Sequence, residues 1–496
     1  MSADADSLAT PKDQASHPPG LYVLFATEMW ERFSFYTMGA MFTLYLRDSQ
    51  QNGGFGWTKA EATTLYSYYS MFVYASPLVG GYLASWKLGF RNAVMIGGLF
   101  FIMGHLLLSF HDIWIVYAAL ACLVIGNGLF KPNISAMVGA LYPAGSPLKE
   151  RAYNFFYMGI NVGAFLAPVT AEIVKTRFGY HPAFAVAAAG MVISVLILWW
   201  FKHHVEDPKK DVDKTAVAPG EPPLVIEKKH PIDSVPDWQR IAALIVVFLI
   251  VIVFWMVFHQ NHTTILYWGA DNTDWETLRT ITSPLRDKPV DDARAAASLV
   301  AMNAMTPGLP TIGAIKGATD PWQPSGIITN AINPLWVIAL TFPLVAFWRW
   351  LNRNGWEPST PTKMALGMVT TGLAFLVLYG AALVGEEKAS DTLRHGFVVS
   401  DLWLIGAFAV LTLAELMLSP MGLALVAKVS PPRYLGIMMG LWFVATAIGN
   451  KLTVIGVYWD DWTHSTFWLV LAGLSFAMSI VLILLLQPLK RAMPGV

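Results

Sequence analysis

The chain has 496 residues, 55% of them hydrophobic and only 13% charged, with a mean hydropathy of +0.49. Soluble domains carry about 25% charged residues, so the composition is that of an all-α polytopic membrane protein. Lys plus Arg equals Asp plus Glu at 33 each, which argues against a nucleic-acid partner, and the single cysteine, Cys122, excludes an intramolecular disulfide framework and a cysteine-built metal site.

Residues 1–20 are polar, acidic and proline-containing, without the apolar core of a signal peptide, and are expected to be a cytoplasmic N-terminal tail. The first apolar run, 21–46, is long enough to cross a bilayer yet carries Glu28, Glu31 and Arg32 near its middle. Each ionisable side chain at a helix centre costs ~3 kcal/mol on insertion scales, so three of them need partners or a water-filled cavity. Positions 28, 31 and 32 are related as i, i+3 and i+4 and share one helical face, with Tyr36 a further turn along it. Leu24, Phe25, Phe33 and Met41 are left for lipid or a neighbouring helix.

Further spans are predicted at 63–84, 93–110, 113–140, 153–174 and 181–201, completing an N-terminal six-helix bundle over 21–203. Helix four contains Lys131 before Pro132, where the backbone can kink, and flanked by Asn127 and Asn133. A lysine at that depth needs an anion: Glu28 and Glu31, or a substrate carboxylate. Helix five places Asn161 between Gly159 and Gly163, two glycines four apart that permit close helix contact. Asn161 either bridges two helices or holds a substrate peptide group.

Residues 204–237 have the Lys, Asp, Glu and Pro content of a cytoplasmic linker. A C-terminal six-helix bundle, 238–487, follows with spans at 239–267, 326–349, 364–385, 400–427, 434–458 and 464–487, an extracytoplasmic insertion at 269–325 and a cytoplasmic tail at 488–496. Within the insertion, Asp292 to Met305 is alanine-rich and expected to be helical. Lys and Arg concentrate on one set of loops, which puts both termini in the cytoplasm of a cell (inner) membrane protein. The polar residues of this half are His259 and His262, too few for a metal site, Asn333 before Pro334, Glu415 one turn before Ser419-Pro420, and Trp442 with Lys451, the last read as structural. A histidine such as His259 changes charge near neutral pH.

Arg32 and Lys131 lie in the first bundle and Glu415 in the second. That division suits a zwitterion, with carboxylate toward Arg32 and Lys131, ammonium toward Glu415, walls from Tyr36, Tyr69 and Trp442, and amide partners in Asn161 and Asn333. The chain has no Ser-His-Asp, paired-histidine metal or phosphate-loop constellation, so an enzyme is not expected.

Glu28-Met-Trp-Glu31-Arg32-Phe-Ser-Phe-Tyr36 matches an ExxERFxxY signature, and FYMGINVGAF on helix five matches FYxxINxG. With Lys131-Pro132, Asn333-Pro334, Glu415 beside Ser419-Pro420, and Trp442, these residues resemble the proton-dependent oligopeptide transporter (POT/PTR) family of the major facilitator superfamily. The resemblance implies the major facilitator fold, twelve transmembrane helices in two six-helix bundles, and proton-coupled symport of di- and tripeptides by alternating access. It implies a substrate-binding set of Arg32, Tyr36, Tyr69, Lys131, Asn161, Asn333, Glu415, Ser419 and Trp442. The proton-coupling set is Glu28, Glu31, Arg32, Lys131 and His259. No cofactor or metal is expected beyond the proton gradient, and the protein is expected to be a monomer in the lipid bilayer. The alternatives are a same-family carrier of another zwitterion or anion, such as nitrate, an amino-acid conjugate or a peptidomimetic drug, and a nontransporting peptide sensor. Three positions depart from the family pattern. An outer-gate charge pair aligns with Gly39 and His259, and an aspartate after helix two aligns with Ser85. The spacing between helices six and seven leaves no room for two additional membrane helices.

Overall fold

The computed structural model describes residues 17–142, 147–205, 234–286, 324–389, 396–431 and 434–494. Six helices come first: α1 (Pro19–Arg47), α2 (Lys59–Leu83), α3 (Phe90–Leu107), α4 (Ile113–Ala140), α5 (Pro147–Phe178) and α6 (Tyr180–Trp200). The second half contains α7 (Asp237–Phe258), α8 (Thr264–Asp271), α9 (Glu276–Arg286), α10 (Thr329–Arg353), α11 (Thr360–Lys388), α12 (Asp401–Val429), α13 (Leu435–Leu452) and α14 (His464–Ala492). One short parallel pairing joins β1 (Thr273–Asp274) to β2 (Val399–Ser400).

Among the described residues ten stretches are long and apolar enough to cross a membrane: α3 to α6, the α7–α8 stretch Asp237–Asp271, and α10 to α14, with changes at the ends of α5, α12 and α13. Helices α1 and α2 have 29 and 25 residues, ample for a hydrocarbon core of ~30 Å at 1.5 Å per residue. The charged trio in α1 and the Ser, Thr and Tyr residues of α2 keep both below that apolarity. Large side chains such as Leu99, Leu196, Leu249, Phe342 and Leu484 are exposed, as a lipid-facing surface requires. Trp114, Trp200, Trp238 and Trp356, near helix ends, are exposed too, consistent with interfacial tryptophans.

Several boundaries differ from the sequence reading. Pro19 and Gly20, placed in the tail, belong to α1, because proline is preorganised for the first helical turn; residues 1–16 lie outside the described residues. The span expected at 239–267 is interrupted by a 3-10 turn, His259–His262, between α7 and α8. Gln260 accounts for the break: its amide donates to the Met256 and Thr453 carbonyls at 3.3 and 3.2 Å, and its oxygen accepts from Thr263 and Thr264 at 3.0 and 2.8 Å. These side-chain bonds compete with the helical ladder. Helix α4 continues through Pro132 as one helix. Linker residues 206–233 and insertion residues 287–323, including the segment 292–305 expected to be helical, lie outside the described residues.

Contacts sort the described residues into two compact units. The first lies within Met1–Tyr36, Phe72–Ala164 and Phe184–Ile226, the second within Thr37–Met71, Phe165–Ala183 and Glu227–Val496. In the first unit glycines let helices touch. A Cβ at Gly163 would collide with the Met29 carbonyl and come within 3.1 Å of Arg32 Cβ, whereas one at Gly159 would meet the Phe25 ring at 2.9 Å. Helix α6 joins α1 through Ser34 Oγ, which donates to the Ala187 carbonyl at 2.6 Å, and Ser194 Oγ, which donates to the Thr27 carbonyl at 2.7 Å.

In the second unit α11 packs on α12 and α14, α7 on α13, and α10 on α12. Arg240 of α7 donates to the Val429 and Ser430 carbonyls at 2.7 and 3.2 Å, satisfying the end of α12. Trp268, Trp459, Trp468 and Phe375 are fully buried beside one another.

The backbone collision at Gly163 cannot be relieved by rotating a side chain, but the ring at Gly159 can shift. Gly163→Ala is therefore expected to lower the unfolding temperature in detergent more than Gly159→Ala, on the ~1–3 kcal/mol scale of overpacking. Thermal denaturation of the two variants checks the ranking, and the reverse order would contradict the close approach of α1 and α5.

Candidate functional site

The first unit holds the charged trio. Glu28, Glu31 and Arg32 are buried, 2% exposed at most. Arg32 takes both carboxylates: Nη2 donates to Glu31 Oε1 at 2.6 Å, Nε pairs with Glu31 Oε2, and Nε lies 3.3 Å from Glu28 Oε1. The guanidinium carbon also sits 4.9 Å from the Phe35 ring centre. One guanidinium thus faces two carboxylates, and Glu28 Oε2 has no hydrogen-bond partner among the described residues.

Lys131 makes no direct ion pair with Glu28 or Glu31, although it is close enough to interact electrostatically with both. Its ammonium lies 5.0 Å from the Tyr74 ring centre, a cation–π placement, and no carboxylate among the described residues is within ion-pair distance. Arg32, on the same helix as both glutamates, reaches them first. Asn127 and Asn133 are structural: Asn127 donates to the Val73 carbonyl at 2.8 Å, and Asn133 to Leu129 and Gly80 carbonyls at 2.7 and 3.4 Å, tying α4 to α2. Asn161 is buried and donates to the Tyr157 carbonyl of its own helix at 2.9 Å. Tyr36 is half-buried against Phe35.

The second unit brings Asn333 and Glu415 together. Asn333 Nδ2 donates to Glu415 Oε2 and to Thr412 Oγ1, both at 2.9 Å. Glu415 has no cation within ion-pair distance among the described residues, and Ser419 follows it one turn later, half-buried. Trp442 is buried; its indole fills the space where a Gly422 side chain would lie and meets Phe248 edge-on at 6.2 Å. Tyr69 is buried beside Phe42 and Tyr66.

His259 is buried against Trp255, with Nδ1 hydrogen-bonded to Asn450 Oδ1. Asn450 Nδ2 donates to the Thr446 carbonyl at 2.8 Å, and Ser70 donates to Oδ1 at 2.7 Å. The amide is therefore oriented with its oxygen toward His259, so that Nδ1 is the donor of that bond. The residue facing Gly39 is not His259 but His262, whose Cε1 would lie 3.8 Å from a Cβ there. The turn after α7 rotates the two histidines out of the register a continuous helix would give.

Where α1 ends and α2 begins, an ion-pair cluster stands that sequence reasoning missed. Arg47 binds Asp271 through both terminal nitrogens, one at 2.7 Å. Lys59 lies 3.1 Å from the same carboxylate and 3.0 Å from Asp460. Tyr267, fully buried, presents its ring to both cations at 5.3 and 6.0 Å. Each of these charges is near a helix terminus, where sequence pattern reads a solvated end; only the pairing, between residues 224 positions apart for Arg47 and Asp271, reveals the cluster. Lys451, read as structural, donates to Ser67 Oγ at 3.0 Å and covers the Tyr68 ring at 3.4 Å.

A family model described as the POT family matches residues 91–218 and 327–464. An uncharacterized transporter of Bacillus subtilis, YclF, is 30% identical over 97% of this chain and 96% of its own. The di-/tripeptide transporter of Lactococcus lactis subsp. cremoris is 26% identical over 98% of this chain and 99% of its own. A crystal structure of a peptide transporter POT in complex with alafosfalin superposes with a TM-score of 0.75 at 25% identity, covering 97% of this chain and 96% of that one. A POT family transporter in complex with 5-aminolevulinic acid gives the same score at 21% identity, covering 96% and 97%, and shows the fold alone. The fold is thus a multi-pass helical membrane fold of the major facilitator type, and the chain belongs to the POT family.

Proposed function

We propose that the protein is a proton-coupled symporter that imports di- and tripeptides by alternating access across the cell (inner) membrane, as a monomer without a cofactor, both termini in the cytoplasm and twelve helices crossing. The observation that carries the reading is a pair of ionisable side chains that form no ion pair among the described residues: Lys131 in the first unit rests on the Tyr74 ring, and Glu415 in the second has neutral partners, Asn333 on one oxygen. Leaving either charge low in the membrane without a partner costs several kcal/mol, about the scale of an uncompensated buried ion. A peptide supplies a carboxylate for Lys131 and an ammonium for Glu415 in one molecule. The names borne by the relatives support peptides as the substrate class.

Coupling follows from Arg32. While both glutamates are ionised they hold its guanidinium; a proton on one of them frees donors that a peptide carboxylate can take. Glu28, whose Oε2 lacks a partner, is the carboxylate with room for that proton. Tyr36, Tyr69, Asn161, Ser419 and Trp442 complete the substrate set. In the coupling set Glu28, Glu31, Arg32, Lys131 and His259 act together. The paired ends of α1, α2 and α8 then form the outer closure, with Arg47, Lys59, Asp271 and Asp460 standing in for the charge pair lost at Gly39 and His259.

Proteoliposomes with an inward proton gradient decide the reading. Uphill uptake of dialanine, competed by other dipeptides, is expected; binding without uptake would mark a sensor, and preferential competition by amine-bearing acids that lack a peptide bond would mark a carrier of another zwitterion. Lys131→Ala is expected to weaken peptides with a free carboxylate at least tenfold while sparing amidated ones, and indifference to amidation would remove Lys131 from carboxylate binding. Glu31→Gln should abolish gradient-driven uptake while retaining peptide exchange; equal loss in both assays would reassign it to binding or folding. For the closure, Asp271→Ala in a Cys122→Ser background is expected to raise labelling of a Thr43→Cys reporter by an impermeant thiol reagent several-fold. Thr43 is fully buried, so unchanged labelling would mean that the ion pairs do not hold that end shut.

A further inference from the structure

Glu172 of α5 is a buried carboxylate, 1% exposed, that the transport reading does not use. No cation among the described residues is within ion-pair distance of it. Its oxygens are instead filled by donors. Oε1 accepts from the Ser325 amide at 2.6 Å and from Thr176 at 3.2 Å; Oε2 accepts from Ser325 Oγ at 3.0 Å and from the Ile328 amide at 3.3 Å. All four partners donate, which suits the acceptor-only ionised carboxylate.

Ile328 is the N-cap of α10, and no side chain within that cap caps the helix. Glu172 therefore caps α10 from another helix at the turn that leads into it: it accepts from the amide of the N-cap residue itself, as the glutamate of a capping box does, while the amides of Thr329, Asn330 and Ala331 bond the Gly326, Ile327 and Ile328 carbonyls, and its negative charge lies near the positive end of the helix dipole. The turn is wedged from a second side: Gly326 has a φ of +90°, and a Cβ there would come within 2.6 Å of Ala270. The start of α10 is thus fixed between α5 and α8.

Asn333, which holds Glu415, lies five residues after Ile328. Pro334 follows it and cannot donate the bond to Asn330 that would stitch the first turn to the rest of the helix. The first turn of α10 is accordingly placed more by what holds its start than by the helix behind it. We propose that Glu172 is a positioning residue for the Asn333–Glu415 pair: by capping α10 from α5 it sets the height and rotation at which Asn333 meets Glu415, and through that pair the recognition of the substrate amine. The consequence for the amine rests on the peptide-transport reading; the cap itself does not.

Two measurements separate them. Hydrogen–deuterium exchange in detergent reads the cap without any substrate. In Glu172→Gln, where one acceptor oxygen becomes a donor, amides within 325–333 are expected to exchange about tenfold faster while those of α11 and α14 stay unchanged; no change within 325–333, or a rise spread over the whole second unit, overturns the proposal. In uptake, Glu172→Gln is expected to raise KM several-fold for dialanine and leave KM for N-acetyl-dialanine and kcat for both unchanged. An equal rise for the two substrates overturns the link to the amine. Should Glu172→Gln fail to fold, Ser325→Ala removes a single donor and is expected to shift exchange in the same direction by a smaller factor; wild-type exchange there overturns the cap. A wild-type protein that takes up neither substrate defeats the transport reading alone, because the exchange measurement still decides Glu172.

Discussion

Arg32 is the constraint on which the first helix depends. Three ionisable groups in the middle of a span are tolerated only if they neutralise one another, and the i, i+3, i+4 spacing places two carboxylates around one guanidinium. Two carboxylates against one guanidinium leave the ionised trio one negative charge in excess, and the nearest further cation acting on it is Lys131 of α4. The lysine makes no ion pair with it but rests on Tyr74, a weak and easily displaced partner worth ~0.5–2 kcal/mol. A cation held by an aromatic face exchanges it for a carboxylate at little cost. A cation locked in an ion pair does not.

The same distinction separates the other charges. Arg47 and Lys59 share Asp271 at helix ends, where solvent screens them and each pair is individually weak; together with the Tyr267 ring they make a network in which one carboxylate serves two cations. Glu415 is at the other extreme, with a neutral amide and no cation within ion-pair distance among the described residues.

What was legible in the sequence was what a single helix carries. Most of the spans, the shared face of Glu28, Glu31 and Arg32, and the glycine spacing that lets α5 approach α1 follow from periodicity, and the structure retains them. Illegible was whatever depends on two distant segments meeting. Asp271 reads as one acid among several in a loop until Arg47 and Lys59 are beside it, and Thr412 reads as a span hydroxyl until Asn333 reaches it. The interruption at His259–His262 belongs to the same class, because Gln260 breaks the helix by bonding Thr453, nearly two hundred positions away. Register then changes which histidine faces Gly39, and a one-dimensional alignment cannot follow a rotation made by a turn.

Gln260, Arg240 and Glu172 act alike. Each is a buried long polar side chain that satisfies the backbone at the end of a helix other than its own, or at a break in its own, where water would serve in a soluble protein. Within a membrane an unsatisfied backbone group costs several kcal/mol, and only helices or partners inside the protein can meet it. A local N-cap such as Asp112 on α4 or Ser400 on α12 fixes a helix end to its own loop; a cap lent by another helix fixes two helices to each other. The end of α12 is thereby tied to α7, and the start of α10 to α5. Of the polar pair, Asn333 lies five residues beyond Ile328, whose amide Glu172 holds, whereas Glu415 lies mid-helix, far from the end that Arg240 satisfies.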